Sequence, residues 1–328
     1  IVSILREYEK KHSRGHKEVI DINHTKEYEE LHLSRTAEHT RAYLKVQDGC
    51  NQFCTYCVIP YARGRVRSRD KASVVEEVRS LVKNGYQEVV LTGIHLSSYG
   101  IDFKETKEDL LSLILAVNEV EGLKRIRLGS LEPRIITEEF VRTISGLEKI
   151  CPHFHLSLQS GCDETLKRMN RRYTSDEYYE KCSLLRKYFD KPALTTDVIV
   201  GFPGETEEEF EKSRIFVEKV SFYETHIFKY SKREGTKAAS MEHQVPEQIK
   251  TERSAVMLEL SKRKQREYEE NFIGKSVEVL VEEEIIKDGR RYQTGHTREY
   301  MKVAIEGDKS LQNELLSVKI ENHLQIIH

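Results

Sequence analysis

The chain has 328 residues, of which 38% are hydrophobic and 33% are charged, and its formal net charge at pH 7 is −2. This length holds one large domain or a medium and a small one, and the composition is that of an ordinary folded protein. The near-zero charge excludes a strongly basic nucleic-acid binder, so any RNA contact must come from local patches. The sequence shows no apolar stretch that could span a bilayer and no secretory pattern, which predicts the cytoplasm and no membrane partner.

Four segments follow one another along the chain. We expect residues 1–40 to be the charged remnant of an upstream domain with its linker, including a short strand over 20–22. Residues 41–245 alternate six strand-like runs with helical stretches, which predicts an α/β fold with a parallel sheet curled into a partial (β/α)6 barrel. Residues 246–271 predict a connector helix, and residues 272–328 predict a small antiparallel β-barrel. The six strands are predicted at 42–48, 88–93, 125–130, 154–160, 194–202 and 224–230.

The loop after the first strand carries three cysteines, Cys50, Cys54 and Cys57, in the run CNQFCTYC. Three thiolates leave the fourth position of a zinc ion or an iron–sulfur cluster open, which favours a metal centre that binds a further ligand. The alternative is a set of buried free thiols. We interpret the other three cysteines, Cys151, Cys162 and Cys182, as structural.

A basic run follows this loop directly. Arginines alternate with small or apolar residues, which in extended backbone places their side chains on one face, at Arg63, Arg65, Arg67 and Arg69. Guanidinium groups bind phosphate in a bidentate manner, so this row predicts contact with RNA, with a solvated charged face as the alternative.

Most of the other candidate binding residues follow the carboxyl ends of the predicted strands, where βα barrels bind their ligands. A strand-end amide at Gln159 suits ribose hydroxyls, and Arg171 suits a carboxylate, with Arg172 as an alternative. In the last segment, Arg290, Arg291, Arg298 and Lys302 offer a basic face, so RNA binding and structural packing both remain open.

These motifs resemble those of the radical S-adenosylmethionine methylthiotransferase family from about residue 41 to the end. The resemblance is carried by DGCNQFCTYCVIPYARGRVRSR, VVLTGIHLSSYG, LSLQSG with MNRRYT, DVIVGFPGET and YSKREGT. Residues 59–64 and 92–96 most resemble the MtaB-type branch, which methylthiolates C2 of N6-threonylcarbamoyladenosine at position 37 of tRNA. The isopentenyladenosine branch typically has Gly-Gln-Asn in place of Gly93-Ile94-His95, and the ribosomal-protein branch departs after the cysteine loop.

The resemblance implies a [4Fe–4S] cluster on the three cysteines, with S-adenosylmethionine bound to its open iron. It implies that Gly295–Tyr300 belongs to a TRAM domain, an RNA-binding β-barrel. Its implied partners are the tRNA anticodon stem-loop and an electron donor such as flavodoxin or ferredoxin. Full-length members hold a second [4Fe–4S] cluster on three upstream cysteines, and no cysteine precedes Cys50 here. We therefore expect this chain alone not to complete sulfur insertion.

The resemblance also assigns site residues. The predicted contacts to S-adenosylmethionine are Tyr56, Gly93, Ser130, Glu132, Gln159, Arg171, Asp197 and Val200. The predicted contacts to RNA are Arg63, Arg65, Arg67, Arg69, Arg291 and Arg298. A non-catalytic, zinc-containing RNA-binding protein is the alternative from a different class.

Overall fold

The structure is a computed structural model that describes residues 40–307 and 309–328, together with residues 22, 25 and 28. The interpretation of residues 1–39 as a domain remnant, and the strand predicted over 20–22, therefore lie outside the described residues apart from these three positions.

Six parallel strands form a curled sheet in chain order. The strands are β1 (Arg41–Asp48), β3 (Glu88–Gly93), β4 (Arg125–Leu128), β5 (His153–His155), β6 (Ala193–Val200) and β7 (Glu224–Lys229), and a short β2 (Arg67–Ser68) pairs antiparallel with β1. Hydrogen bonds define two sheets, β2-β1-β3-β4 and β5-β6-β7. Parallel bridges from Ile126 to Ile150 and from Leu131 to Leu156 connect them. The predicted half-barrel is confirmed.

Helices follow the strands and cover the outer face of the sheet. They are α1 (Ile59–Ala62), α2 (Lys71–Lys83), α3 (Leu110–Asn118), α4 (Glu138–Ser145), α5 (Asp163–Arg168), α6 (Ser175–Tyr188) and α7 (Glu207–Val220). Asp70, Thr137 and Thr206 each accept a hydrogen bond from a backbone N–H in the first turn of α2, α4 and α7, which fixes where these helices begin.

Alternation along the strands separates an apolar from a polar face. On β6, Leu194, Val198 and Val200 pack into the main hydrophobic core between the sheet and the helices. Their neighbours Thr195 and Asp197 face the opposite way, into the barrel, because successive strand residues point to opposite sides. The barrel interior is therefore lined largely by polar side chains.

The connector helix α8 (Glu247–Glu269) leads to four antiparallel strands, β8 (Ser276–Lys287), β9 (Arg290–Thr297), β10 (Lys302–Glu306) and β11 (Leu315–Lys319). Their order is β10-β9-β8-β11, which places β10 and β11 at opposite edges of this C-terminal sheet within the described residues. No helix in the described part of the chain combines the length and apolar character that crossing a bilayer requires.

The C-terminal sheet covers the amino ends of the barrel strands. Arg125, at the start of β4, pairs with Glu278 at 2.9 Å and donates to the carbonyl oxygen of His296. The ring of Tyr300 stacks on His153 at the start of β5, with centroids 4.7 Å apart. This contact lies at the end of the barrel opposite the cysteine loop, so it leaves the carboxyl ends of the strands free for a site.

Candidate cluster and cofactor site

Two residues at the end of β1 shape the entry to the cysteine loop. The Gln47 amide nitrogen donates to the carbonyl oxygens of Asp48 (2.6 Å) and Gly49 (2.8 Å), while its oxygen accepts from the backbone N–H of His95 (2.7 Å). The Asp48 carboxylate accepts from the Gly49 N–H at 2.8 Å and pairs with Arg63 at 2.6 Å. Burial raises the pKa of Asp48, but hydrogen bonds from Arg63, Gly49 and Lys45 outweigh burial and lower this pKa to about 2. Sequence reasoning missed both residues, since their only signal is their position before the first cysteine.

Gly49 allows the chain to turn into this loop. Its φ is +69°, and a Cβ at this position would lie 1.9 Å from the carbonyl oxygen of Arg65. Close backbone packing continues at Cys50, whose N–H donates to the Gly64 carbonyl at 3.0 Å. Only glycine satisfies both the conformation and the contact.

The three thiols face one another across this loop. Cys50 is buried, Cys54 and Cys57 are half-buried, and the Cys57 N–H donates to the Cys54 carbonyl at 3.0 Å. Burial raises the pKa of the Cys50 and Cys57 thiols, and the neighbouring cysteines add to the shift at both. Metal ligation requires the thiolates, so metal binding here must release protons and weakens as the pH falls.

The three sulfur atoms are not all as close together as the ligands of one bound zinc ion would be. A tetrahedral zinc ion holds sulfur atoms at about 2.3 Å, so its thiolates lie roughly 3.8 Å apart. Among the described residues, the group of three metal-binding side chains whose ligand atoms all lie within 4.8 Å of one another does not include these cysteines. At least one pair of these three sulfur atoms is therefore more than 4.8 Å apart.

Arg171 lies against the cysteine loop. Its guanidinium donates to Cys54 Sγ (3.4 Å), to the Ser157 carbonyl (3.1 Å) and to the Tyr173 hydroxyl (2.8 Å). Burial opposes its charge, but the phenols of Tyr173 and Tyr56 and the Cys54 sulfur outweigh burial and hold the pKa of Arg171 well above its usual value. A permanent cation therefore stands beside the metal site, whereas Arg172 is exposed.

Tyr56 and Gln159 are in direct contact. The Tyr56 hydroxyl donates to the Gln159 side-chain oxygen at 3.1 Å, and burial raises the pKa of Tyr56 well above its usual value. Gln159 has φ +71°, an uncommon conformation for a residue other than glycine that is often found at ligand sites. Ile199 and Met169 pack with Tyr56 in a small apolar cluster, which was not predicted.

The other predicted cofactor residues lie near the carboxyl ends of the strands. The Val200 side chain is the one that does not point toward the site. Ser130 Oγ lies 2.8 Å from Ser157 Oγ, Glu132 pairs with Arg134 at 2.7 Å, and Gly93 packs against Gln47. The Val200 side chain points away from them into the core, so only its backbone can face a cofactor. Asp197 lies deeper in the barrel and contacts His155 at 3.3 Å.

His95 presents an unpartnered polar atom beside this group. Its Nδ1 lies 2.6 Å from Ser98 Oγ, while its Nε2 is buried without a hydrogen-bond partner among the described residues. Burial, together with the charges of Arg171 and Arg134, lowers the pKa of His95 to about 4, so the ring is neutral. An unpaired buried polar atom next to a thiol site is expected where a ligand completes the hydrogen bonding.

The predicted row of exposed arginines is wrong. Arg63 and Arg65 are exposed, but Arg67 and Arg69 are buried. Arg67 contacts Asp48 at 3.5 Å and Arg69 pairs with Glu77 at 2.5 Å. The chain forms only a two-residue strand here and then enters α2, so the alternation that would align four guanidinium groups does not persist.

The two predicted RNA contacts in the C-terminal sheet differ in their surroundings. Arg298 donates to the carbonyl oxygens of Ile150 (2.7 Å) and Glu148, which attaches the sheet to the barrel. Arg298 is half-buried and uses one guanidinium nitrogen in this contact, and its contact with RNA stays a prediction. Arg291 is exposed, with Glu284 at 3.5 Å.

Comparison with known proteins identifies the family. The sequence profile of the Radical SAM superfamily matches residues 44–217, which is more than half of the chain. The chain belongs to the radical SAM superfamily. Proteins of this superfamily use a [4Fe–4S] cluster and S-adenosylmethionine, so these are the cofactors of the site. Three thiols, a buried cation and an unpartnered imidazole nitrogen are donors that suit them.

Curated relatives narrow the family to methylthiotransferases. The threonylcarbamoyladenosine tRNA methylthiotransferase MtaB of Bacillus subtilis is 42% identical over 304 residues, covering 92% of this chain and 67% of that protein. The tRNA-2-methylthio-N(6)-dimethylallyladenosine synthase of Acetivibrio thermocellus is 43% identical over 280 residues, covering 85% and 58%. The chain thus spans about three fifths to two thirds of the length of these relatives.

Solved radical SAM structures share the fold. The methyltransferase TsrM from Kitasatospora setae aligns with a TM-score of 0.51 at 21% identity, covering 60% of this chain and 38% of that one. This similarity supports the half-barrel architecture of the radical SAM core.

Proposed function

We propose that this chain is the cofactor-cleaving and tRNA-binding part of a methylthiotransferase that modifies C2 of N6-threonylcarbamoyladenosine at position 37 of tRNA. The observation that carries the proposal is the 42% identity to the Bacillus subtilis MtaB enzyme over 304 residues, which include the three-cysteine loop. Action on tRNA implies the cytoplasm as the compartment and a low-potential electron donor such as flavodoxin or ferredoxin as a partner.

Residues of this chain hold and orient the cofactors in this proposal. Cys50, Cys54 and Cys57 bind the cluster, and Arg171 neutralises negative charge beside it. The contact between Tyr56 and Gln159 places two hydrogen-bonding groups where a ribose and an adenine can lie. When bound, the cluster and S-adenosylmethionine supply the one-electron chemistry that an unreactive aromatic carbon requires.

Exposed aromatic and basic residues at the mouth of the site support RNA binding. Arg65 lies over the ring of Phe53 at 4.5 Å, and Tyr61, 60% exposed, packs edge-on against Phe53. A cavity of about 400 Å³ beside them is lined by Cys54, Cys57, Tyr61 and the basic side chains Lys167 and Lys237. Stacking surfaces next to cations are what unpaired bases of an anticodon loop bind.

The choice of substrate rests on two short motifs, residues 59–64 and 92–96. Overall identity does not separate the two branches, at 42% and 43%. Gly93-Ile94-His95 resembles the threonylcarbamoyladenosine branch, and His95 lies within the electrostatic reach of Arg171. Modification of dimethylallyladenosine is the second candidate, because that activity is named for several relatives of similar identity.

Mass spectrometry of tRNA nucleosides tests the proposal in cells. Deleting the gene that encodes this chain should remove the methylthio form of threonylcarbamoyladenosine, leave its unmodified precursor, and spare methylthiolated dimethylallyladenosine. The intact gene should restore the modification, and a Cys54→Ala copy should not. Loss of methylthiolated dimethylallyladenosine instead would establish the second candidate, and an unchanged nucleoside profile would refute both.

A further inference from the structure

Three side chains inside the barrel form a compact group apart from the cysteine loop. They are His155 on β5, Asp197 on β6 and His226 on β7, and among the described residues their ligand atoms all lie within 4.8 Å of one another. His155 Nε2 is 3.3 Å from the Asp197 carboxylate. The rings of His155 and His226 are nearly parallel, with centroids 5.7 Å apart.

Strand register brings these residues together. Asp197 and His226 are direct partners in the β6–β7 ladder, and His155 is paired with Thr195 in the β5–β6 ladder. All three project from the inner face of the sheet, because the alternate residues Leu156 and Val198 lie in the outer core. The group is therefore held by three adjacent strands, which position side chains more rigidly than loops do.

A fourth residue orients one of the histidines. His155 Nδ1 lies 3.1 Å from Thr195 Oγ1, which leaves Nε2 directed at Asp197. A histidine that binds a metal through one nitrogen commonly makes a hydrogen bond through the other. Thr195 therefore occupies the place of an outer partner that fixes the imidazole ring.

The distance between two of the three ligand atoms matches the geometry of one metal ion. Imidazole nitrogen and carboxylate oxygen bind zinc at about 2.0–2.2 Å, so two neighbouring ligand atoms lie roughly 3.0–3.5 Å apart. The His155–Asp197 separation of 3.3 Å falls in this range. His226 is exposed, so rotation of its side chain can bring the third ligand atom closer.

The charge of the group is also suited to a cation. Within the described residues, the ion-pair partner recorded for Asp197 is His155, and no lysine or arginine is recorded for it. His226 has a second carboxylate nearby, that of Glu224 at 3.7 Å. A divalent ion would compensate the carboxylate charge that the two imidazoles leave when they are neutral.

We propose that His155, Asp197 and His226 form a binding site for one divalent transition-metal ion of the zinc class, separate from the cluster on the cysteines. Two imidazoles and a carboxylate select such ions and leave at least one position open to solvent or a small anion. The ion would fasten β7, the edge of the three-stranded sheet, to β5 and β6. The proposal assigns Asp197 to the metal ion rather than to S-adenosylmethionine. It does not depend on the proposed function, since neither the cluster nor tRNA contributes to the site.

Zinc binding to the cluster-loaded protein tests this site. We expect one zinc ion per chain by calorimetry and elemental analysis, with a dissociation constant of about 1 µM or lower. X-ray absorption at the zinc edge should show a shell of nitrogen and oxygen near 2.0–2.2 Å and no sulfur at about 2.3 Å. A sulfur shell, or no binding at 100-fold higher zinc, would overturn the proposal.

Variants assign the ligands. His155→Gln and His226→Gln should each weaken zinc binding at least 100-fold, whereas His323→Gln, an exposed histidine of the C-terminal region, should leave it unchanged. Thr195→Val keeps all three ligands and should weaken binding about 10-fold through loss of the orienting hydrogen bond. Iron and sulfide content, together with circular dichroism, verify that each variant is folded and cluster-loaded. Equal affinity in all four variants would contradict the assignment.

Discussion

Arg171 shows how one residue can serve both the cluster and its ligand. Its three donor nitrogens reach a thiol, a backbone carbonyl and a phenol, so the guanidinium is fixed in orientation beside the open side of the loop. The sequence alone left open whether Arg171 or its neighbour holds the cofactor. In the structure Arg171 contacts the cysteine loop, whereas Arg172 is exposed, so Arg171 stays the predicted cofactor residue.

We expect Arg171→Lys to weaken S-adenosylmethionine binding about 10-fold, or roughly 1.4 kcal/mol, because lysine cannot reproduce the planar fork of donors. Arg172→Lys is the matched control and should bind as the wild type does. Equilibrium binding to the cluster-loaded protein measures both, and a larger loss in the Arg172 variant would reverse the assignment.

At the scale of elements, the cysteine loop depends on backbone conformation at Gly49. Gly49→Ala should prevent cluster loading, because the added methyl group meets the Arg65 carbonyl at 1.9 Å in addition to the strain of a positive φ. Gly235→Ala isolates the strain, since its φ is +80° and nothing lies within 4 Å of the added atom. Iron and sulfide analysis after reconstitution compares them, and equal loading would show that the close contact is unimportant.

The connector helix α8 ends at Glu269, a buried carboxyl group whose ionisation at neutral pH destabilises the folded state. Burial raises the pKa of Glu269 to about 7, although His328 and His323 lie 3.5 and 3.9 Å from its carboxylate oxygens. Between pH 4.5 and 7 the folded state therefore binds more protons than the unfolded state. The contribution of Glu269 to the free energy of unfolding falls as the pH rises through this window.

Glu269→Gln should raise the Tm at pH 8 by a few degrees and have little effect at pH 4.5, because glutamine carries no charge to bury. Glu267→Gln on the same helix is the control, since this exposed side chain pairs with Arg263 and Lys264 and should give no gain. Thermal unfolding across the pH range measures the difference, and a gain independent of pH would contradict the assigned titration.

Sequence patterns predicted strands and helices well where the pattern lies within one segment of the chain. The alternation of β and α units along residues 41–245 predicted the half-barrel. The arginine row failed because Arg69 turns inward to a buried partner, Glu77, which depends on packing of α2. Gln47 was missed for the same reason, because its contact with His95 joins segments far apart in sequence.

In the whole molecule, the C-terminal sheet is part of the barrel structure as well as a candidate RNA surface. Buried Glu88 pairs with Arg127 at 2.7 Å and lies 3.5 Å from Arg125. Both arginines also donate to backbone carbonyls of the sheet, at Thr297 and His296. The two units are therefore joined through charged groups that have little access to solvent.

Glu88→Gln should destabilise the protein by about 3–5 kcal/mol, because the buried guanidinium of Arg127 loses its carboxylate and Arg125 keeps only Glu278. Glu76→Gln, which removes an exposed pair with Arg79, should cost less than about 1 kcal/mol. Denaturant unfolding followed in the barrel and in the C-terminal sheet measures both, and equal small effects would show that this buried network contributes little.

The central prediction is that Cys50, Cys54 and Cys57 hold an iron–sulfur cluster with one iron open to S-adenosylmethionine. Anaerobically reconstituted protein should contain about four irons and four sulfides per chain. With a reductant it should release 5′-deoxyadenosine from S-adenosylmethionine, and Cys54→Ser should abolish this release while Cys162→Ser should not. Zinc in place of iron and sulfide, or a loaded cluster that releases no 5′-deoxyadenosine, would contradict it.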